Sequence, residues 1–235
     1  TMASLVRSRV SAIYRYAIAT LRADRDPAAA LVGAIKRQRT EHHVALTRQQ
    51  IGDLLGKLAT YRGAPETICA VRLLLLTFVR SSELRLAHWD EIDEVRAEWR
   101  IPAARMKMRE AHLVPLSRQS LAELRTLHSL TGRRPMLFPH SSKPGLAYMG
   151  GPTINQALEI MGLNGAGTIG FSAHGFRTTA STHLHEMGYR PDVIERQLAH
   201  AEPNQVRAAY NHAAHLAERR EMMQAWADWI DSINI

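Results

Sequence analysis

Residues 172–212 read SAHGFRTTASTHLHEMGYRPDVIERQLAHAEPNQVRAAYNH. The stretch divides into three helices. Ser172 is an N-cap residue type, and Gly188 suits the left-handed residue that closes a helix. Pro191 carries the fixed φ that suits a first helical turn, and Val193, Ile194 and Leu198 fall on one side of the helix it opens. A third helix begins near Asn204 and carries Tyr210. The polar residues that stand out are His174, Arg177, His200 and Tyr210. Arg and His hold and neutralise phosphate oxygens. A Tyr hydroxyl can attack phosphorus and form a covalent intermediate. No metal-ligand spacing and no glycine-rich phosphate loop accompanies them.

Each of these residues also has an ordinary reading. His174 and Arg177 lie three apart and share a helix face. With 12 histidines in the chain, on the order of one His-x-x-Arg pair arises by chance. His200 follows the apolar pair Leu198-Ala199, where a histidine usually hydrogen-bonds a helix end. Tyr210 sits among Ala208, Ala209 and Ala213, and a helical Tyr is most often core with its hydroxyl at the surface. His183 and His185 are two apart, so a helix splays them. His212 and His215 are three apart and share a face, but neither pair has the Cys or carboxylate company of a zinc site.

Working outward, the chain of 235 residues has room for one large domain, or one medium domain with a small appendage. An apolar fraction of 46% supplies a core, and 22% charged residues is ordinary. The charge balance is not ordinary. Net +8 with a pI near 10.1 points to a polyanionic partner, nucleic acid or an anionic surface. Cys69 is the single cysteine, which rules out an internal disulfide and suits a reducing compartment. The apolar run at residues 73–76 falls far short of a membrane span, and the first ten residues lack a signal-peptide core. The expectation is a cytoplasmic protein with no membrane partner.

Residues 5–22 have helical spacing, with Leu5, Val6, Val10, Ile13 and Ala17 on one face, and Arg25-Asp26-Pro27 stops them. A short helix over 28–35 follows, then a basic polar stretch that reads as a linker. Thr47-Arg48-Gln49-Gln50 is a capping box opening a helix with Ile51, Leu54, Leu55 and Leu58 inward. Residues 67–79 form a helix buried on most sides that runs into Arg80, and a new helix starts near Ser81 or Ser82. Residues 112–116 read as a strand, with Pro115 at an edge or a strand end, and Lys107 in or near a turn between two strands. Helices then cover 117–130, the run from Pro152 through Met161, and 216–233. The fold class expected is mainly α with a small antiparallel β-sheet, an α+β domain.

With these residues in hand, the chain resembles the catalytic domain of tyrosine recombinases, specifically phage and prophage integrases. Phe78-Val79-Arg80-Ser81-Ser82-Glu83-Leu84 is similar to the family's first arginine box. Lys107, seven residues before the Val114-Pro115-Leu116 strand, matches its β-hairpin lysine. His174-Gly175-Phe176-Arg177 matches the His-x-x-Arg box, and Gln197-Leu198-Ala199-His200 the next histidine box. Tyr210, ten residues later, falls at the nucleophile. Each motif is weak, but the ordered set is specific. Ser81-Ser82 stands where Pro-Gly is commoner, and Ala199 where many relatives have Gly.

The resemblance implies a DNA breaking-rejoining fold and a metal- and ATP-independent site-specific recombinase that works without a cofactor. It implies catalytic roles for Tyr210, Arg80, Lys107, His174, Arg177 and His200, with Glu83 orienting Arg80, and DNA contacts from Arg80, Lys107, Arg177, Arg105 and Arg109. Residues 1–38 become the last helices of a core-binding domain, 39–46 a linker, and 47–235 the catalytic domain. The chain is then a fragment of a longer protein. Partners implied are double-stranded DNA attachment sites, a homo-tetramer on DNA built from free monomers, and accessory DNA-bending proteins. The last helix, with Trp226 and Ile230, either docks on a neighbouring protomer or packs on its own domain. Two other functions use the same residues: a non-catalytic DNA-binding module, and a type IB topoisomerase that relaxes DNA.

Overall fold

The computed structural model describes residues 2–34, 44–140, 148–200 and 215–233. The chain divides into two units, residues 1–42 and 43–235. In the first, helix α1 runs Met2–Ala19, three residues earlier at each end than the sequence spacing predicts. None of its residues is buried, and Leu5, Val6 and Ile13 of the expected apolar face are exposed. Asp26 holds the turn that follows, accepting hydrogen bonds from the Ser11 hydroxyl at 2.5 Å and the Ala28 N–H at 2.8 Å. The expected helix over 28–35 is a single 3-10 turn, Ala29–Leu31, with Gly33 left-handed just beyond it.

The second unit opens on α2, Arg48–Thr60, and both halves of the Thr47–Gln50 capping box are formed. Its buried residues are Ile51, Leu54 and Leu58, each worth roughly 1.5–3 kcal/mol of burial. Pro65 starts α3, Pro65–Thr77, which is buried almost all round and touches helices on several sides. The short α4 follows, Ser81–Arg85. Its cap residue is Arg80 rather than Ser81 or Ser82. The Glu83 carboxylate reaches back to accept the Arg80 N–H, the half of a capping box that the residue at the third helical position supplies.

Three antiparallel strands come next: β1, Ile92–Asp93, β2, Glu98–Ile101, and β3, His112–Pro115, ordered β1-β2-β3. Trp99 pairs with Val114 and Ile101 with His112. Pro115 ends the edge strand β3, where its missing N–H costs the ladder nothing. Helix α5, Arg118–Thr131, is capped by Ser117 and packs along α3. Then come α6, Thr153–Ile160, α7, Gly175–Glu186, and α8, Pro191–Gln197. The cap of α7 is His174, not Ser172, because the Ser172 carbonyl accepts the Gly175 N–H in a tight turn ahead of the helix. The last described helix is α9, Leu216–Asp231.

Helix α9 packs on its own domain, against α3, α5, α7, α8 and β3. Trp226 is fully buried, meets Phe78 edge-on at 6.4 Å, and donates its indole N–H to the Leu75 carbonyl at 2.9 Å. Trp229 stacks on it, and Arg48 of α2 lies over the Trp229 ring. The architecture is mainly helical with one small sheet, as the sequence predicts. The core lies around α3, and this places the C-terminal end of α3, the first turn of α7 and the end of α8 for the site.

Candidate active site

The site is built from chain reversals. Helix α3 ends when Phe78 takes a left-handed conformation, φ 42°. That turn frees the Phe78 carbonyl from the helix ladder. Two residues later Arg80 enters α4 in an extended conformation. Glu83, 2% exposed, holds it twice. One carboxylate oxygen accepts the Arg80 N–H at 2.8 Å and the other accepts its guanidinium at 2.6 Å. The other end of the guanidinium donates to the Ala199 carbonyl at 3.2 Å.

Arg177 comes to the same place from α7. It is 4% exposed and donates to the carbonyls of Phe78, at 2.9 Å, and Leu198. The same NH2 group lies 3.1 Å from His200 Nε2. Burial pushes its guanidinium down to about 10, with the neighbouring Arg80 adding repulsion, so it stays charged at neutral pH. Close packing sets the helix here. A Cβ on Gly175 would stand 2.8 Å from the Val44 carbonyl oxygen and closer still to the Phe171 ring, which explains a glycine inside the His-x-x-Arg box.

His200 is placed by the end of α8. The Ala199 N–H donates to the Arg196 carbonyl and the His200 N–H to the Glu195 carbonyl, each at 3.1 Å, with Ala199 left-handed at φ 49°. This is the Schellman pattern, which normally uses glycine at the left-handed position. It explains why Gly would be the commoner residue there. The reversal lays His200 against Glu195, with Nδ1 2.5 Å from the carboxylate.

Arg80, Arg177 and His200, three sequence-predicted residues, therefore meet, and Glu83 contacts Arg80. Lys107 is exposed on the β2–β3 connection, as is Arg109, which is left-handed at φ 55°. Arg105 is also expected among the DNA contacts. Its guanidinium turns inward to the Glu91 carboxylate and to the Glu83 carbonyl, the latter at 2.9 Å. It thus ties the Lys107 connection to α4. His174 is exposed at the start of α7, one turn before Arg177. Tyr210 and His212 lie outside the described residues.

Sequence reasoning missed four residues around the site. Glu195 is the His200 partner. Behind it a buried network joins three elements. His112 of β3 donates Nε2–H to the Gln197 carbonyl at 3.1 Å, Arg219 of α9 donates twice to the Gln197 side chain, and Arg219 also reaches the Leu113 carbonyl. Burial, with Arg219 next, pushes His112 down to about 3. A signal existed for Glu195 alone, since a turn after a helix brings residues five apart together.

Residues 44–216 match the family described as the phage integrase family. The chain belongs to this family. The integrase of Enterobacteria phage P4 is 44% identical over 244 positions, covering 98% of this chain and 55% of that protein. The prophage integrase IntA of Escherichia coli K12 is 40% identical, covering 94% of this chain and 52% of that protein. The chain thus spans about half the length of these curated relatives. Among solved structures, a lambda integrase dimer bound to a core site aligns with TM-score 0.63 at 19% identity, covering 84% of this chain and 71% of that one. The Tn1549 transposon integrase in complex with circular intermediate DNA aligns with TM-score 0.62 at 17% identity, covering 93% and 77%. At such identities the likeness is one of fold: this integrase-family chain has the tyrosine recombinase catalytic-domain fold. No described helix is long and apolar enough to cross a membrane.

Proposed function

We propose that this chain is the strand-exchanging part of a site-specific DNA recombinase that integrates or excises a phage, prophage or genomic island. One observation carries the reading. The guanidiniums of residues 80 and 177 are held by a small set of backbone carbonyls, the residue 200 imidazole lies against the second of them, and Arg80 is close enough to repel Arg177. Like charges held together by backbone acceptors form a fixed receptor for an anion, and the basic chain suits DNA as its source.

In this reading Tyr210 Oη attacks the scissile phosphorus and the 5′-oxygen leaves, giving a 3′-phosphotyrosyl strand and a free 5′-hydroxyl. A tyrosine hydroxyl has a pKa of about 10, so about one in a thousand is ionised at pH 7. His174 accepts its proton, and Lys107 protonates the departing oxygen. Arg80 and Arg177 stabilise the charge gathering on the equatorial oxygens, and His200 adds a hydrogen bond there. The phosphodiester energy stays in the new bond, so a second strand's 5′-hydroxyl reverses the step without ATP or a metal. The same reading has the protein act in the bacterial cytoplasm on double-stranded attachment sites. It works there as a homo-tetramer with accessory DNA-bending proteins, and residues 1–38 are the end of a core-binding domain. Lys107 and Arg109 meet the DNA backbone from the β2–β3 connection, and Glu83 orients Arg80.

A nicked suicide duplex carrying the attachment site tests this. Wild-type protein is expected to become covalently trapped in the presence of chelator, and Tyr210→Phe is not. Equal trapping by Tyr210→Phe contradicts the nucleophile assignment. Salt-sensitive binding without any adduct supports a DNA-binding module instead. Relaxation of a supercoiled plasmid lacking an attachment site supports the type IB topoisomerase reading.

A further inference from the structure

We infer that Glu195 is a positioning residue that lets His200 become a charged hydrogen-bond donor when a phosphate enters the site. The inference rests on the reading of His200 as a phosphate ligand. The backbone supplies the geometry. The left-handed Ala199 folds the chain back, the His200 N–H bonds the Glu195 carbonyl, and the two side chains are laid side by side. A Schellman turn usually fills this contact with two apolar residues. Here it holds a carboxylate 2.5 Å from an imidazole Nδ1.

The tautomer follows from the neighbours. A guanidinium has no lone pair to offer, so His200 Nε2 accepts from Arg177 and Nδ1 carries the proton donated to Glu195. In this arrangement the His200 Nε2 lone pair is turned toward the cationic clamp. A phosphate oxygen that takes the Arg177 N–H would face that lone pair, and two acceptors repel. One proton taken up from solvent at Nε2 removes the conflict. It leaves an imidazolium that donates to phosphate on one side and to Glu195 on the other, and no bond to phosphorus is made or broken by it.

Among the described residues, the charges facing His200 include Glu195 on α8, Arg177 on α7, and Arg80 through the Ala199 carbonyl, with Arg80 held by Glu83. The two guanidiniums oppose protonation of His200, and Glu195 is the carboxylate in direct contact that favours it.

The test follows the His200 ring in ¹⁵N-histidine-labelled chain by long-range ¹H–¹⁵N correlation, with the signal assigned by its loss in His200→Ala. The free protein is expected to show Nδ1 protonated and Nε2 bare at neutral pH. Added inorganic phosphate is expected to bring a proton onto Nε2 in the wild type, giving the signature of a ring protonated at both nitrogens. Glu195→Gln keeps an acceptor but loses the charge, and should lose most of that phosphate-dependent signal. Glu195→Asp, which keeps the charge, should restore most of it, whereas a merely structural role would affect both variants alike. An Nε2-protonated ring in the free protein, or a phosphate-dependent signal unchanged in Glu195→Gln, overturns the inference. The measurement does not use Tyr210, so absence of a covalent adduct would contradict the recombinase reading and leave this result to stand or fall by itself.

Discussion

Arg177 shows why single residues here are hard to replace. Its guanidinium donates to the Phe78 and Leu198 carbonyls and to His200, with almost no contact with water. A lysine cannot reproduce that planar fork. Its neighbour in the fold, His112, makes the cost of burial measurable. His112 stays neutral in the folded chain until about pH 3, against an ordinary value of 6.5. Between those values the unfolded chain binds a proton that the folded chain refuses, so stability falls as pH drops. The slope from this residue is about 1.4 kcal/mol per pH unit. Urea unfolding of wild type and His112→Phe from pH 7 to pH 4 is expected to show the wild type losing more stability by that slope. Equal slopes would contradict a buried neutral His112. At this scale the sequence was half legible. Arg80, Arg177 and His200 were visible as residue types in order. Their acceptors were not, because the carbonyls of Phe78, Leu198 and Ala199 become available only through backbone turns that leave no side-chain pattern.

At the scale of elements, the helices were legible wherever an apolar period or a strong cap was present. Thr47, Pro191 and Gly188 all mark real ends, whereas the helix expected from residue 67 starts at Pro65. The caps at Arg80 and His174 were missed because each is made by something other than its own side chain. The α8 end departs from the usual chemistry by placing Ala199 at φ 49°. A left-handed non-glycine residue costs roughly 1–2 kcal/mol, part of which a glycine gives back in chain entropy. Ala199→Gly is expected to stabilise the domain by about 0.5 kcal/mol, read as a higher urea midpoint at unchanged m-value. A lower midpoint would mean that the alanine methyl contributes packing that outweighs the strain. Arg105→Ala should act differently. It releases the β2–β3 connection from Glu83 and Glu91. Adduct formation is therefore expected to slow by at least about tenfold, because Lys107 loses its placement, while DNA affinity at fixed salt stays within about twofold. A parallel loss of affinity would place Arg105 among the DNA contacts.

The larger unit is organised around α3, with α9 closing it. The sequence left open whether α9 packs at home or on a neighbour, since an amphipathic stripe says only that one face is covered. The structure buries Trp226 against the ring of Phe78, the residue whose carbonyl Arg177 uses, and bonds its indole to the Leu75 carbonyl. Stability and site geometry are thus joined through Phe78. Trp226→Ala is expected to destabilise the unit by about 3–5 kcal/mol, measured by urea unfolding, and a change under 1 kcal/mol would place the helix elsewhere in solution. The central claim, that Tyr210 is the residue joined to DNA, has a direct chemical readout. Protein trapped on a suicide duplex is digested with nuclease and trypsin, and the peptide between Arg207 and Arg219, which holds Tyr210 as its single tyrosine, is weighed. A mass increased by a nucleotide linked through its 3′-phosphate to Tyr210 is the predicted result. An unmodified Tyr210 peptide, with the nucleotide on another residue or on none, would contradict it.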